Sequence, residues 1–405
     1  MNLIIDYQNK IHGHIRVNKE EIRYNGFIIN KSFEISDVVI NGLNFDFKTT
    51  ISSEGSSYKI VTVDINLEDI TSFEVKYYGL LDGTSGLWPY VREKTSSDFA
   101  LLRFETLCVP YFVSSLEDSF LEYVHTGFNK DSKITITCDS NLDVLSNLHL
   151  ESEHIKNNRK EFTFRGSFLN FVIGKYQSIH FLNGVFNILT DFELNYDMIT
   201  IVEDTITYMS NHYGHVEIND LTIICIPPQL GSFVDGHTIF MAVDTLSDIR
   251  SIIHELIHIG WNPLVNPTTQ RSRFFDEGIT QYLTARLYNQ YEQKGSIKTY
   301  ESYRNMFKTL IEKHKLLLVP LVDFGKHEYG DLSYYYGALA LKAIEDRIGM
   351  SNLDQVLKNM LNEYKNKEIN FNSFIKLFDE YNISDIIEDY FYTTKGQEHI
   401  LDQKN

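Results

Sequence analysis

The sequence predicts an α+β multidomain protein, with an N-terminal all-β domain followed by a mainly helical domain that carries a small sheet. Three observations predict it. The chain has 405 residues, more than one ordinary core accommodates, so two or three domains are expected. Its first 180 or so residues are rich in β-branched and aromatic residues broken by Gly, Asn, Asp and Ser, the pattern of strands and turns. Near residue 182 the texture changes, and from about residue 245 onward the apolar residues recur at helical spacing.

Each element follows in order. Segments such as FEVKYYGLL, SKITITCDS and KEFTFRGSFLNFVIGKY read as strands of a β domain over residues 1–182. Within that half only short stretches such as SSLEDSFLEYV have a helical period. The second domain, residues 183–405, opens with a helix in DFELNYDMITIVEDTITYMSNHYG and an apolar strand, LTIICIPP, ended by its prolines. A helix starting at Ser247 or Asp248 is expected to reach about Ile259. Others are expected over Arg273–Gln290 and over Leu332–Ile348, with Gly349 as the stop. Three amphipathic segments, NLDQVLKNMLNEYK, FNSFIKLFDEYN and DIIEDYFYT, complete the chain.

Composition excludes several function classes. A net charge of −18 opposes binding to nucleic acid and to anionic membrane surfaces. No segment has the roughly 18 uninterrupted apolar residues of a membrane span. The start, MNLIIDYQNKIHGHIRV, lacks the pattern of a signal peptide. Cys108, Cys138 and Cys225 are odd in number and widely spaced, which argues for buried free thiols in a reducing cytoplasm rather than a disulfide framework. The aromatic residues, 13% of the chain, read as core packing because basic patches to accompany a base-stacking surface are missing.

Chemistry concentrates at residues 254 to 258, His-Glu-Leu-Ile-His. Positions four apart share one helix face, so His254 and His258 can offer their imidazoles to one cation. Glu255 can then reach a water at that cation without binding it. Ile252, Ile253, Leu256 and Ile257 supply the apolar face. With 14 His in the chain, chance yields this motif in roughly three such chains per hundred, so a third ligand is what gives it weight. After an eighteen-residue gap comes Glu277, flanked by Phe274, Phe275, Ile279 and Tyr282. A carboxylate so placed should face inward, where an unpaired charge is costly. Three protein ligands with an open fourth position are what catalytic zinc requires, so one Zn²⁺ is the expected cofactor. Asp276 is a candidate outer partner of the ligands. His12 and His14 also share one strand face, yet no third ligand lies near them in sequence.

HELIH, the eighteen-residue gap and DEG together resemble the gluzincin zinc metallopeptidases of peptidase family M1, the aminopeptidase N-like group. SYYYGALAL is similar to a family segment whose tyrosine stabilises the tetrahedral oxyanion. That likeness assigns the role to Tyr334, puts Tyr336 in the place of a lysine, and leaves Tyr335 and Tyr336 as the other candidates. RFETLCVPYF resembles the family's arginine–phenylalanine–proline segment, and VLSNLHLESE with FTFRGSFLNFVIGKY resembles the last strands of its β domain. The resemblance implies a saddle-like β domain, a thermolysin-like gluzincin catalytic domain, and a peptide or protein substrate. It also implies a compact form, because FIKLFDEYNISDIIEDYFYT resembles the final helices of the family's catalytic domain. Gly260-Trp261-Asn262 adds a likeness to glycyl aminopeptidases.

One segment departs from the family. Its aminopeptidases carry G-x-M-E-N on an edge strand, where the Glu grips the substrate's α-amine. Here the matching stretch is GSFVDGH, with Gly231 kept, Val234 where the Glu should fall, Asp235 one residue displaced, and His237 next to the cleft. A one-residue slip on a strand reverses a side chain's direction. Gly231, Asp235 and His237 are thus the candidate substrate contacts. The expected function is zinc-dependent, aminopeptidase-like peptide hydrolysis with Glu255 as base and Tyr334 as oxyanion donor. The alternative is an altered member acting as an endopeptidase or as a zinc-holding scaffold that binds peptides.

Overall fold

The computed structural model describes residues 1–51, 58–81, 94–103, 106–112, 132–167, 169–182, 184–193, 196–214, 220–261, 273–291, 296–327, 329–364, 367 and 369–403. The segment SSLEDSFLEYV lies outside them. Among these residues the N-terminal half holds an eight-stranded sheet, a three-stranded sheet and a four-stranded sheet. The large sheet joins its strands Asn2–Tyr7 and Lys133–Asp139 in parallel, while its other pairs are antiparallel. Its strands alternate buried and exposed residues, as in Ile11, Gly13, Ile15 and Val17 against Arg16 and Asn18. One face is therefore apolar and must be covered. The smaller sheets cover it, and Leu3, Ile5, Phe73 and Val75 pack with Phe27, Val61, Leu102 and Phe171 in one core.

The C-terminal half holds a five-stranded sheet. Its hairpin Tyr176–Phe181 and Gly184–Leu189 carries the chain across residue 182. Gly184–Leu189, Leu221–Ile226 and Thr238–Ala242 run parallel. A parallel pair needs a crossover, and helix Tyr196–Tyr213 supplies it between the first two strands. Phe233–Asp235 closes the sheet as an antiparallel edge strand.

The halves meet through strand alternation. Side chains two apart on a strand share a face, and Ile223, Cys225, Ile239 and Met241 enter the core of the helices. Their neighbours Ile224, Ile226, Phe240 and Ala242 pack on Leu101 and Val172 of the four-stranded sheet. That small sheet is thus buried on both sides, because Ala100, Leu102, Phe171 and Ile173 face the N-terminal core. All three cysteines are free and buried. Among the described residues no helix is long and apolar enough to cross a membrane.

The predicted helices form, with adjusted ends. Ile249–Trp261 carries the His pair, and Asp248 precedes it. The Oδ1 of Asp248 accepts the Arg250 N–H at 3.2 Å and its Oδ2 accepts the Ser251 hydroxyl at 2.6 Å, a side-chain cap for the free N–H groups of a first turn. The segment expected as one helix over Arg273–Gln290 is a π-helical turn, Phe274–Gly278, followed by α-helix Ile279–Tyr291. Likewise a second π turn, Ser333–Gly337, precedes helix Ala338–Ile348, which Gly349 ends at φ +85°.

Candidate metal centre

The His-bearing helix buries Ile252, Ile253, Leu256 and Ile257, and this fixes its rotation so that His254 and His258 face the first π turn. The two π turns cross at their glycines. A Cβ on Gly337 would lie 3.1 Å from the Cα of Gly278, and one on Gly278 would lie 3.1 Å from the Ser333 carbonyl oxygen. Only glycines allow this approach. The crossing sets Glu277, one residue before the first glycine, beside Tyr334, three before the second. Extra-residue turns of this kind are frequent at functional sites.

His254 Nε2 lies 3.1 Å from Glu277 Oε2 and 3.1 Å from His258 Nε2, and His258 Nε2 lies 3.2 Å from the same Oε2. The three atoms form a nearly equilateral triangle. A tetrahedral zinc ion with bonds of about 2.0–2.2 Å separates its ligands by roughly 3.3–3.5 Å. The triangle is within a few tenths of an ångström of that spacing. Two imidazoles and a carboxylate are also the donor set zinc accepts in hydrolases. The residues therefore fit a zinc ion, and no other group of three or more His, Cys, Asp or Glu among the described residues converges in this way.

The charges agree with this fit. Burial opposes ionisation of Glu277, yet the charges of His258 and Arg273 and the hydrogen bonds of both histidines hold it well below the usual carboxylate range. His258 is also buried, but the facing Glu277 raises its affinity for a proton. The site thus prefers a cation between these groups, and a metal would replace that proton. Thr280 Oγ1 lies 3.4 Å from His258 Nδ1, where it can orient the ring. Glu255 is half-buried beside the triangle. Burial raises its pKa, His254 and His258 lower it, Glu277 raises it again, and the net direction is upward. Tyr334 stacks parallel to His254, with ring centroids 6.0 Å apart. Burial and its hydrogen bond to Glu277 push the phenol well above its ordinary value, so it stays an O–H donor at neutral pH.

The neighbouring tyrosines point elsewhere. Tyr335 packs on Tyr303, and Tyr336 is fully buried with its hydroxyl donating to the Tyr390 carbonyl at 3.0 Å. Asp276 serves its own turn. Its Oδ1 accepts the Glu277 N–H at 2.8 Å, and its Oδ2 accepts Arg273 Nε at 2.8 Å. His14 sits 3.2 Å from Glu74, and His12 stacks on Tyr78.

The edge strand Phe233–Asp235 lies where the amine-gripping segment was expected, with its alternation resolved. Val234 packs on the helical core. Phe233 and Asp235 face the N-terminal half, where Asp235 Oδ2 accepts the amides of Asn147 at 2.7 Å and Asn170 at 2.6 Å. Gly231, at φ +74°, and Gly236, at φ +58°, bend the chain before and after the strand. His237 is exposed in the turn that follows. Its carbonyl accepts the Thr222 N–H at 3.0 Å. Asn262 of the Gly260-Trp261-Asn262 segment lies outside the described residues.

Two arginines at the site escaped the sequence reading. Arg103 is 4% exposed, stacks its guanidinium 3.7 Å above the Phe233 ring, and its charge is felt at Glu255. No local signal links it to residue 255. Arg273, four residues before Glu277, bonds that carboxylate, and the i,i+4 pairing rule could have found it.

Residues 229–390 match the peptidase family M1 domain. Over that segment the chain is similar to peptidase family M1. It is similar to probable aminopeptidase 2 of Sulfurisphaera tokodaii, 20% identical over 366 residues, which are 82% of this chain and 46% of that protein. It therefore spans about half the length of that curated relative. Its fold is similar to the M1 zinc metallopeptidase of Deinococcus radiodurans, with a TM-score of 0.61 at 11% identity over 100% of this chain and 93% of that one. Aminopeptidase A of Legionella pneumophila gives a TM-score of 0.66 at 10% identity, covering 97% and 49% of the two chains. The chain thus shares with these solved structures the fold of an N-terminal β domain followed by a mainly helical domain.

Proposed function

We propose that this chain is a zinc-dependent, aminopeptidase-like peptidase whose metal is held by His254, His258 and Glu277. The observation that carries the reading is the triangle of donor atoms with 3.1–3.2 Å edges, in contact with Tyr334 and with Glu255 directly after His254 in sequence. A zinc ion bound there would polarise the scissile carbonyl and acidify the attacking water. Glu255 takes the proton of that water and delivers it to the departing amine, a task suited to a carboxyl whose pKa burial raises. Tyr334 donates its O–H to the oxygen that becomes anionic, which is worth most in the transition state. The substrates are peptides or proteins. We assign Asp235 to holding the edge strand through Asn147 and Asn170, with Gly231 and His237 at the margins of that strand. The amine contact is then left to other groups of the cleft.

The test is incubation of the purified chain with a peptide library, with and without a zinc chelator. Zinc-dependent release of N-terminal residues supports the reading in full. Cleavage confined to internal bonds or to N-blocked peptides would remove the aminopeptidase part and keep the peptidase. Absence of any zinc-dependent cleavage would overturn both.

A further inference from the structure

Arg273 stands at the entrance of the first π turn with a left-handed backbone, φ +54°, a conformation a non-glycine residue adopts at a cost. Its carbonyl accepts the N–H groups of Glu277 and Gly278, both at 3.0 Å. Its side chain folds back over the same turn. Nε donates to Asp276 Oδ2 at 2.8 Å, and Nη2 donates to Glu277 Oε1. Asp276 Oδ1 in turn accepts the Glu277 N–H at 2.8 Å. Arg273, Asp276 and Glu277 thus close a ring, and the two oxygens of Glu277 are divided. Oε1 belongs to the guanidinium, while Oε2 faces the two imidazole nitrogens.

We propose that Arg273 is a positioning residue that restricts Glu277 to one-oxygen binding of the metal and so keeps the open side of the site clear. The proposal rests on the zinc reading above. A carboxylate with both oxygens free can turn and chelate a zinc ion, and its second oxygen then occupies space the attacking water needs. A guanidinium is suited to prevent this. Its planar fork satisfies two carboxylates at once, and it keeps its charge at every working pH. The side chain is held in place by Asp276, which is 7% exposed, so the fork is set before the metal arrives. Arg273 also makes Glu277 a poorer electron donor, because part of the carboxylate charge is spent on the cation. Both effects favour a more acidic water at the metal.

The experiment uses the full chain with Arg273→Met, which fills similar space without a donor, and Arg273→Lys, which keeps a charge near Oε1. Each is loaded with cobalt(II) in place of zinc. Visible absorption, the zinc dissociation constant by competition with a chelating dye, and kcat are read together. We expect Arg273→Met to lose about half or more of its cobalt absorption as the coordination number rises, and to lose about 10–100-fold in kcat. Arg273→Lys should recover most of the absorption and part of kcat. Spectra and kcat of Arg273→Met within twofold of the unaltered protein would overturn the proposal. So would equal losses in the two variants, which would mark Arg273 as a mere loop fastener. If Arg273→Met fails to fold, the Lys variant decides alone, and a five-coordinate spectrum there overturns the clamp. An unaltered protein that takes up neither zinc nor cobalt would refute the zinc reading itself, whereas uptake with an unshifted Arg273→Met spectrum refutes only the clamp.

Discussion

Replacing Glu255 by Gln tests the chemistry most directly. The side chain is half-buried on the His-bearing helix, whose rotation is fixed by Ile252, Ile253, Leu256 and Ile257 rather than by residue 255. Gln has nearly the same volume, so His254 and His258 should keep their places. What is lost is a proton acceptor. General-base assistance contributes about 10²–10⁴-fold, or roughly 2.7–5.4 kcal/mol at 1.36 kcal/mol per decade. Burial and the facing Glu277 raise the Glu255 pKa and outweigh the lowering by His254, His258 and Arg103. A raised pKa makes the carboxylate the stronger base, which favours a full loss of that order, about 10²–10⁴-fold in kcat. The assay is turnover of a peptide amide beside zinc content per chain. Zinc should remain at one ion per chain. A loss of less than tenfold, or a loss that tracks zinc content, would refute the assignment of Glu255 as base.

Two further outcomes follow from the same geometry. Tyr334→Phe removes one donor to the developing oxyanion and should lower kcat about 10²–10³-fold with KM nearly unchanged; an equal rise in KM instead would make Tyr334 a binding group. Away from the metal, Asp354 meets Arg286 in a two-pronged pair (Nη2 to Oδ2 at 3.0 Å) and accepts the Tyr213 hydroxyl at 2.8 Å. Burial pushes the Asp354 carboxyl up, but Arg286 pulls it further down, so its folded pKa is lowered. A lowered carboxyl contributes stability that is present above the unfolded value of about 3.9 and is lost as pH falls through the folded value. Asp354→Asn should therefore cost about 3–5 kcal/mol in urea unfolding at neutral pH and flatten the loss of stability below about pH 4. An unchanged acid slope would show that other carboxylates carry it.

The legible parts of this protein are those set by local spacing. His254 and His258 are one helical turn apart in any helix, and the inward Glu277 could be read from its apolar neighbours. The strand-rich and helix-rich halves were likewise visible in composition. The π turns were not. A helical period read along 273–290 or 332–348 cannot see one extra residue per turn, because the signal for it is a contact between Gly278 and Gly337, 59 positions apart. Arg103 escaped for a similar reason, since its place over Phe233 exists only after two sheets have packed. The direction of Asp235 lay between these cases. Strand alternation allowed two answers, and the choice depended on which face of the edge strand met the N-terminal half.

That edge strand also explains why the candidate metal centre and the strand beside it need not vary together. The metal triangle is built on the helical core, with Glu277 bonded by Arg273 and His258 within reach of Thr280. The edge strand Phe233–Asp235 is held from the other side, by Asn147, Asn170 and Arg103 of the β half. Val234 alone turns toward the helices, and its apolar side chain offers no charge to a substrate amine. A change in the β half can therefore shift the strand against the metal without touching a ligand. Under the proposed function, specificity would accordingly depend on how the two halves meet, and hydrolysis on the helical half and its crossing glycines.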